Sequence, residues 1–104
     1  MRTIITFNIP VEKGNELIKS GKIEEVLGGI AEDFKPEAAY FYIDDSGRRA
    51  GTVVVDISDP LDLPKHVEPL FFGLNAQVST RSAFSLEDMA KFGDALGPVV
   101  QKYG

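Results

Sequence analysis

The chain contains no cysteine. Disulfides, thiolate metal sites, iron–sulfur ligation and a cysteine nucleophile are excluded together, and the composition fits a cytoplasmic home. Histidine occurs once, at His66, so a single side chain titrates near neutrality without perturbation. No hydrophobic run approaches membrane-spanning length, and the opening residues 1–10 are too short and too interrupted by polar residues for a secretory leader. The mature protein is expected to be the whole chain, with no membrane partner. Positive charge is scarce and scattered: 16 acidic residues outweigh 11 basic ones for a formal charge of -5. The closest basic pair, Arg48-Arg49, stands beside Asp44 and Asp45. A phosphate backbone would be repelled, so no nucleic-acid partner is expected.

Motifs that carry chemistry are missing as well. There is no G-x-G-x-x-G, no Walker lysine and no G-x-S-x-G elbow, and Asp44-Asp45-Ser46-Gly47 lacks the rest of a calcium loop. Asp56, Asp59 and Asp62 recur every three residues, which reads as solvated turn chemistry rather than a cation site. Gly28-Gly29 falls inside a helical pattern, where two glycines suggest close approach of helix to sheet. No cofactor and no metal are expected.

What is present suffices for one domain over residues 1–104: the chain is 43% hydrophobic, and its Gly, Pro and Ser are dispersed as turn punctuation. Thr3 to Ile9 is β-branched and aromatic and stops at Pro10, predicting a strand. From Val11 to Phe34 apolar residues recur at three and four, predicting a helix with a weak point at Ser20-Gly21. Pro36 ends it. Ala38 to Ile43 is a second strand, Asp44 to Gly47 a hairpin connection, and Arg48 to Ile57 a third strand whose Val53-Val54-Val55 run marks a central position. Asp59-Pro60 caps a helix through Val67, and Pro69 should break it, with Glu68 capping a second turn ended by Gly73 or Asn75. Ala76 to Phe84 is the fourth strand. Ser85-Leu86-Glu87-Asp88 resembles a capping box, starting a helix to about Leu96 that Gly97-Pro98 should break before a last turn to Tyr103.

The order is that of a ferredoxin-like βαββαβ antiparallel sheet with an extra C-terminal helix, an α+β fold. Helices would cover one sheet face. The other would carry Ile4, Phe41 or Tyr42, and Val53 or Val54, which is too much apolar surface for exposure, so an isologous homodimer is expected.

Lys35-Pro36-Glu37-Ala38-Ala39-Tyr40-Phe41, Gly47-Arg48-Arg49, Glu68-Pro69-Leu70-Phe71-Phe72, Leu74-Asn75-Ala76 and Glu87-Asp88 together resemble a bacterial family of about this length whose function is uncharacterised. More distantly, the spacing of elements is similar to the dimeric α/β-barrel superfamily of muconolactone isomerases, antibiotic-biosynthesis monooxygenases and stress-response barrel proteins. That resemblance implies a homodimer and, in its enzymes, a pocket between the sheet and its covering elements. No superfamily catalytic motif aligns residue by residue.

Three features could carry a ligand or a reaction. His66 and Glu68 form a His-x-Glu pair that would serve as an acid/base couple; the plainer reading is a helix-end histidine beside a capping glutamate. Tyr40 and Tyr42 share one side of their strand and would polarise a carbonyl or hold an aromatic ring, unless both simply face an interface. Arg81 offers a planar fork for a carboxylate, or for any surface acid. The expectation is a homodimer binding a small apolar or aromatic molecule near Tyr40, Tyr42, His66, Glu68 and Arg81. The alternatives are a cofactor-independent isomerase or monooxygenase using His66 as its catalytic residue, and a structural partner protein with no pocket.

Overall fold

In the first strand Thr3, Ile5, Phe7 and Ile9 are buried, whereas Arg2, Ile4, Thr6 and Asn8 between them are only half covered, as a two-residue period dictates for a sheet with one covered face. A computed structural model describes all 104 residues. It contains strands β1 (Arg2–Ile9), β2 (Ala38–Ile43), β3 (Arg49–Asp56) and β4 (Gln77–Ser82) and helices α1 (Val11–Lys19), α2 (Ile23–Phe34), α3 (Leu63–Leu74) and α4 (Leu86–Tyr103). The strands form one antiparallel sheet in the order β2-β3-β1-β4. This is the ferredoxin-like arrangement, with α4 added. No helix is long and apolar enough to cross a membrane.

The first helical stretch splits where Ser20-Gly21 predicts: Gly21 takes φ +74°, which glycine adopts without steric cost. Asp59 caps a 3-10 turn over Pro60–Asp62 by accepting from the Leu61 N–H at 3.0 Å. β3 lies between β2 and β1, with Val53 and Val55 buried on the helix side. The pleat also decides the two alternatives left by the sequence. Phe41 pairs with Gly51 and Ala39 with Val53 on the helix side, and Tyr40, Tyr42, Ile4 and Val54 take the open face.

Three expectations are corrected. Pro69 does not break α3, which runs unbroken through it. One missing backbone donor is outweighed because Leu70 and Leu74, one helical turn apart, are fully buried and hold the second half of the helix on the sheet. Glu68 is therefore a mid-helix residue and caps nothing. Gly97-Pro98 likewise leaves α4 continuous to Tyr103, since a helical φ suits proline and Gly97 does not turn left-handed. Gly28 and Gly29 do not mediate close packing: a Cβ on either would meet no atom within 4 Å.

The core consists of Ile5, Phe7, Ile9, Leu17, Phe34, Val53, Val55, Ile57, Leu70, Leu74 and Ala76. α4 contributes nothing to it. Its start is fixed by the predicted capping box: the Asp88 N–H donates to Ser85 Oγ at 3.1 Å, and the Ser85 N–H donates to Asp88 Oδ2 at 2.9 Å.

Two outcomes follow from this packing. Leu70→Ala should lower stability in urea titration by about 2–5 kcal/mol. Phe72→Ala, removing a ring that is 84% exposed, should change it by less than about 0.5 kcal/mol. The Ser85 backbone N–H holds the Asp88 carboxyl below its usual range. Its capping contribution is thus fully present above the unfolded aspartate value and lost as pH falls through the lower folded one. Amide protection factors in the first turn of α4, which allow for the intrinsic slowing of exchange in acid, should fall on acidification in the parent protein, and the Asp88→Asn variant should lack that acid-dependent step.

Candidate functional site

Between α2 and the β2–β3 half of the sheet lies a cavity of about 340 Å³. Its floor is sheet: Phe7 from β1, Ala39 and Phe41 from β2, Val53 from β3. Its roof is α2, where Leu27, Ala31 and Phe34 recur at the three- and four-residue spacings that share a helix side, with Gly28 beside them. Eight of the eleven lining residues are hydrophobic, and Glu24 is the one ionisable group among them. The space exists because small residues stand where large ones would fill it. Gly28 contributes no side chain, and Ala31 and Ala39 face each other's layers across the gap.

Gly51 shapes the floor. Phe7 and Phe41 meet edge to face, centroids 6.3 Å apart at 70°, and a Cβ on Gly51 would lie 2.5 Å from the Phe7 ring and 3.0 Å from the Phe41 ring. The two aromatic rings lie over Gly51 only because it is glycine. Phe41 remains 59% exposed, leaving the cavity open at the β2 edge.

The five residues singled out from the sequence do not converge in one protomer. Tyr40 and Tyr42 lie on the open sheet face, where the Tyr42 hydroxyl is 2.5 Å from Thr52 Oγ1, itself 3.4 Å from Thr6 Oγ1. Arg81 is on that face too, but on β4, the opposite edge, three strand spacings or roughly 14 Å from β2. His66 and Glu68 belong to α3, in the layer behind the sheet, and two residues along a helix point to different sides. His66 stacks on Phe34 at 4.9 Å, and its Nδ1 lies 3.0 Å from the Asp62 carbonyl oxygen, a spacing that suits an N–H donated to that carbonyl. It borders a polar depression with Asp33, Asp56, Asp62 and Lys65, in which no three acidic or histidine side chains are grouped closely enough to hold a metal. Glu68 is exposed near Val78 and Thr80. The acid/base couple read from His-x-Glu has no geometric basis.

The cavity residues escaped sequence reasoning because apolar side chains at helical and strand spacing look the same whether they pack or line a void. The available signal was the pair Gly28-Gly29 within a helical pattern, since glycine there costs helix stability without any turn to require it.

No protein-family model matches the chain, and no curated protein does. Solved structures resemble it at low identity. 5-chloro-2-hydroxyhydroquinone dehydrochlorinase from Burkholderia phenoliruptrix AC1100 superposes with a TM-score of 0.56 at 14% identity, covering 85% of this chain and 99% of that one. A formyltetrahydrofolate deformylase from Pseudomonas putida KT2440 gives 0.49 at 15% identity over 80% of this chain, which spans only 29% of the deformylase. A dimeric ferredoxin-like protein of unknown function from Thermobifida fusca gives 0.45 at 12% identity, covering 80% and 92%. The element order and the β2-β3-β1-β4 sheet give the chain a ferredoxin-like fold of the α+β class.

A glycine-to-alanine change inside a strand ordinarily favours the folded state. Gly51→Ala should instead destabilise by about 1–3 kcal/mol in thermal unfolding, because the added methyl displaces two rings.

Proposed function

We propose that the protein is a homodimeric binding protein for small apolar or aromatic molecules, held between α2 and the β2–β3 half of the sheet. The observation that carries this reading is the cavity itself: about 340 Å³, at the small end of ligand sites and roughly twice the ~150 Å³ void that accepts benzene. An apolar wall with Glu24 as its single ionisable group suits a ring bearing one hydrogen-bonding substituent. The dehydrochlorinase of the same fold was solved in complex with 2,5-dihydroxybenzoquinone, a small cyclic molecule.

The second copy is assigned to the open sheet face. Ile4, Val54, Tyr40 and Tyr42 give that face an apolar and aromatic half beside the hydroxyl chain of Thr6, Thr52 and Tyr42. Tyrosine suits such a place, with an apolar ring and a polar tip. Tyr40, Tyr42 and Arg81 therefore serve the interface, and His66 supports the cavity from behind through Phe34.

Titration with a panel of substituted phenols, followed by amide chemical shifts, tests the site. Shifts should cluster at Phe7, Leu27, Ala31, Ala39 and Phe41, and Gly28→Leu, which fills the roof, should weaken binding at least tenfold with the fold retained. Shifts confined to β4 or α3, or equal binding by the variant, would contradict the assignment. His66→Ala should leave affinity within about threefold of the parent.

A further inference from the structure

We propose that α4 is an intermolecular arm: its apolar stripe lies on the second copy of the chain, along that copy's β2, and closes the mouth of the cavity there. The inference rests on the homodimer reading above. α4 has 18 residues and buries none of them. Met89, Phe92, Leu96, Val99, Val100 and Tyr103 fall within a stripe roughly 100° wide, with Glu87, Asp94 and Gln101 on the opposite side. Of the six, Phe92 alone has an aromatic partner in its own chain, the Phe84 ring at 5.2 Å. Leu96, Val99, Val100 and Tyr103 are 43%, 47%, 64% and 75% exposed. A helix so patterned belongs against a surface.

The amount of exposed surface points to a second copy. The protomer has a radius of gyration of 17.2 Å, against about 13 Å for a compact domain of its length. Its accessible surface is 7329 Å², against roughly 5,800 Å² for a monomer of its mass. The excess, roughly 1,500 Å² per protomer, is about twice the share each partner gives to an interface of standard size and falls in the range of obligate dimers.

The target follows from what each part lacks. α4 has no sheet beneath it, and β2 has no helix over the outer end of its inner side, where Phe41 and Ile43 are 59% and 67% exposed. A two-fold axis running along the strands, in the plane between two facing sheets, stacks β4 of each copy over β2 of the other. α4 is rooted just after β4, beside the partner's β2 in that arrangement. At about 27 Å it is long enough to pass the edge of a sheet lying about 10 Å away and reach its far side.

The absence of cysteine makes single-cysteine reporters clean. Val100→Cys and Ile43→Cys chains, co-expressed with distinguishable tags, should give a covalent heterodimer under mild oxidation, at least tenfold above the yield with Asp94→Cys on the polar side of α4. A light-scattering dimer whose Val100→Cys yield does not exceed the Asp94→Cys control would overturn the arm and leave the homodimer standing. So would a dimer in which Val100→Cys links mainly to itself, because α4 would then pair with α4. A parent protein that scatters as a monomer would overturn both.

Discussion

The ring of Phe7 lies over Gly51, and that contact fixes the phase of the sheet. β1 and β3 pair with Phe7 opposite Gly51, and a slip of β1 by one residue would carry Ile5, Phe7 and Ile9 out of the core together. Everything functional descends from this registration. It puts Phe41 and Ala39 under α2 as the floor of the cavity, and it sends Tyr40 and Tyr42 to the other face. A single strand thereby takes part in two surfaces, the cavity under α2 and the open sheet face, to which the proposal gives a ligand and a second copy respectively.

The fold leaves the outer end of β2 without a covering helix and the apolar stripe of α4 without a surface beneath it. β1 and β3 are covered by α2 and α3, with Ile5, Val55, Leu70 and Leu74 at most 1% exposed. β2 is half-buried at Ala38 alone and exposed from Ala39 onward. α4 is anchored by its capping box and by Phe84, which determine where it starts while leaving its apolar stripe unoccupied. The proposed association would account for both and would turn an open cavity into an enclosed one.

Much of this architecture is legible in the residues. Strand alternation, Pro10 and Pro36 as boundaries, the break at Gly21 and the cap at Ser85 are local chemistry, and each appears at its expected place. Two of the misreadings concern helix breakers. Pro69 and Gly97-Pro98 are breakers by propensity, but propensity is worth a few kcal/mol at most and two buried leucines outweigh it in α3. The candidate site was less legible than the fold. Tyr40, Tyr42, His66, Glu68 and Arg81 stand out by type, yet type says nothing of which layer a side chain joins. The cavity is made by what Gly28, Ala31 and Ala39 omit, and an omission becomes visible only when the layers are assembled.

The central claim is that the surface left open by one chain belongs to a second. Small-angle scattering tests it most directly, because it reads mass and shape together. The account requires twice the mass of an 11.4 kDa chain in a particle whose longest dimension barely exceeds the 59 Å of one protomer, since each arm folds along its neighbour. A particle of single mass with a radius of gyration near 17.2 Å, its helix extended into solvent, would contradict it.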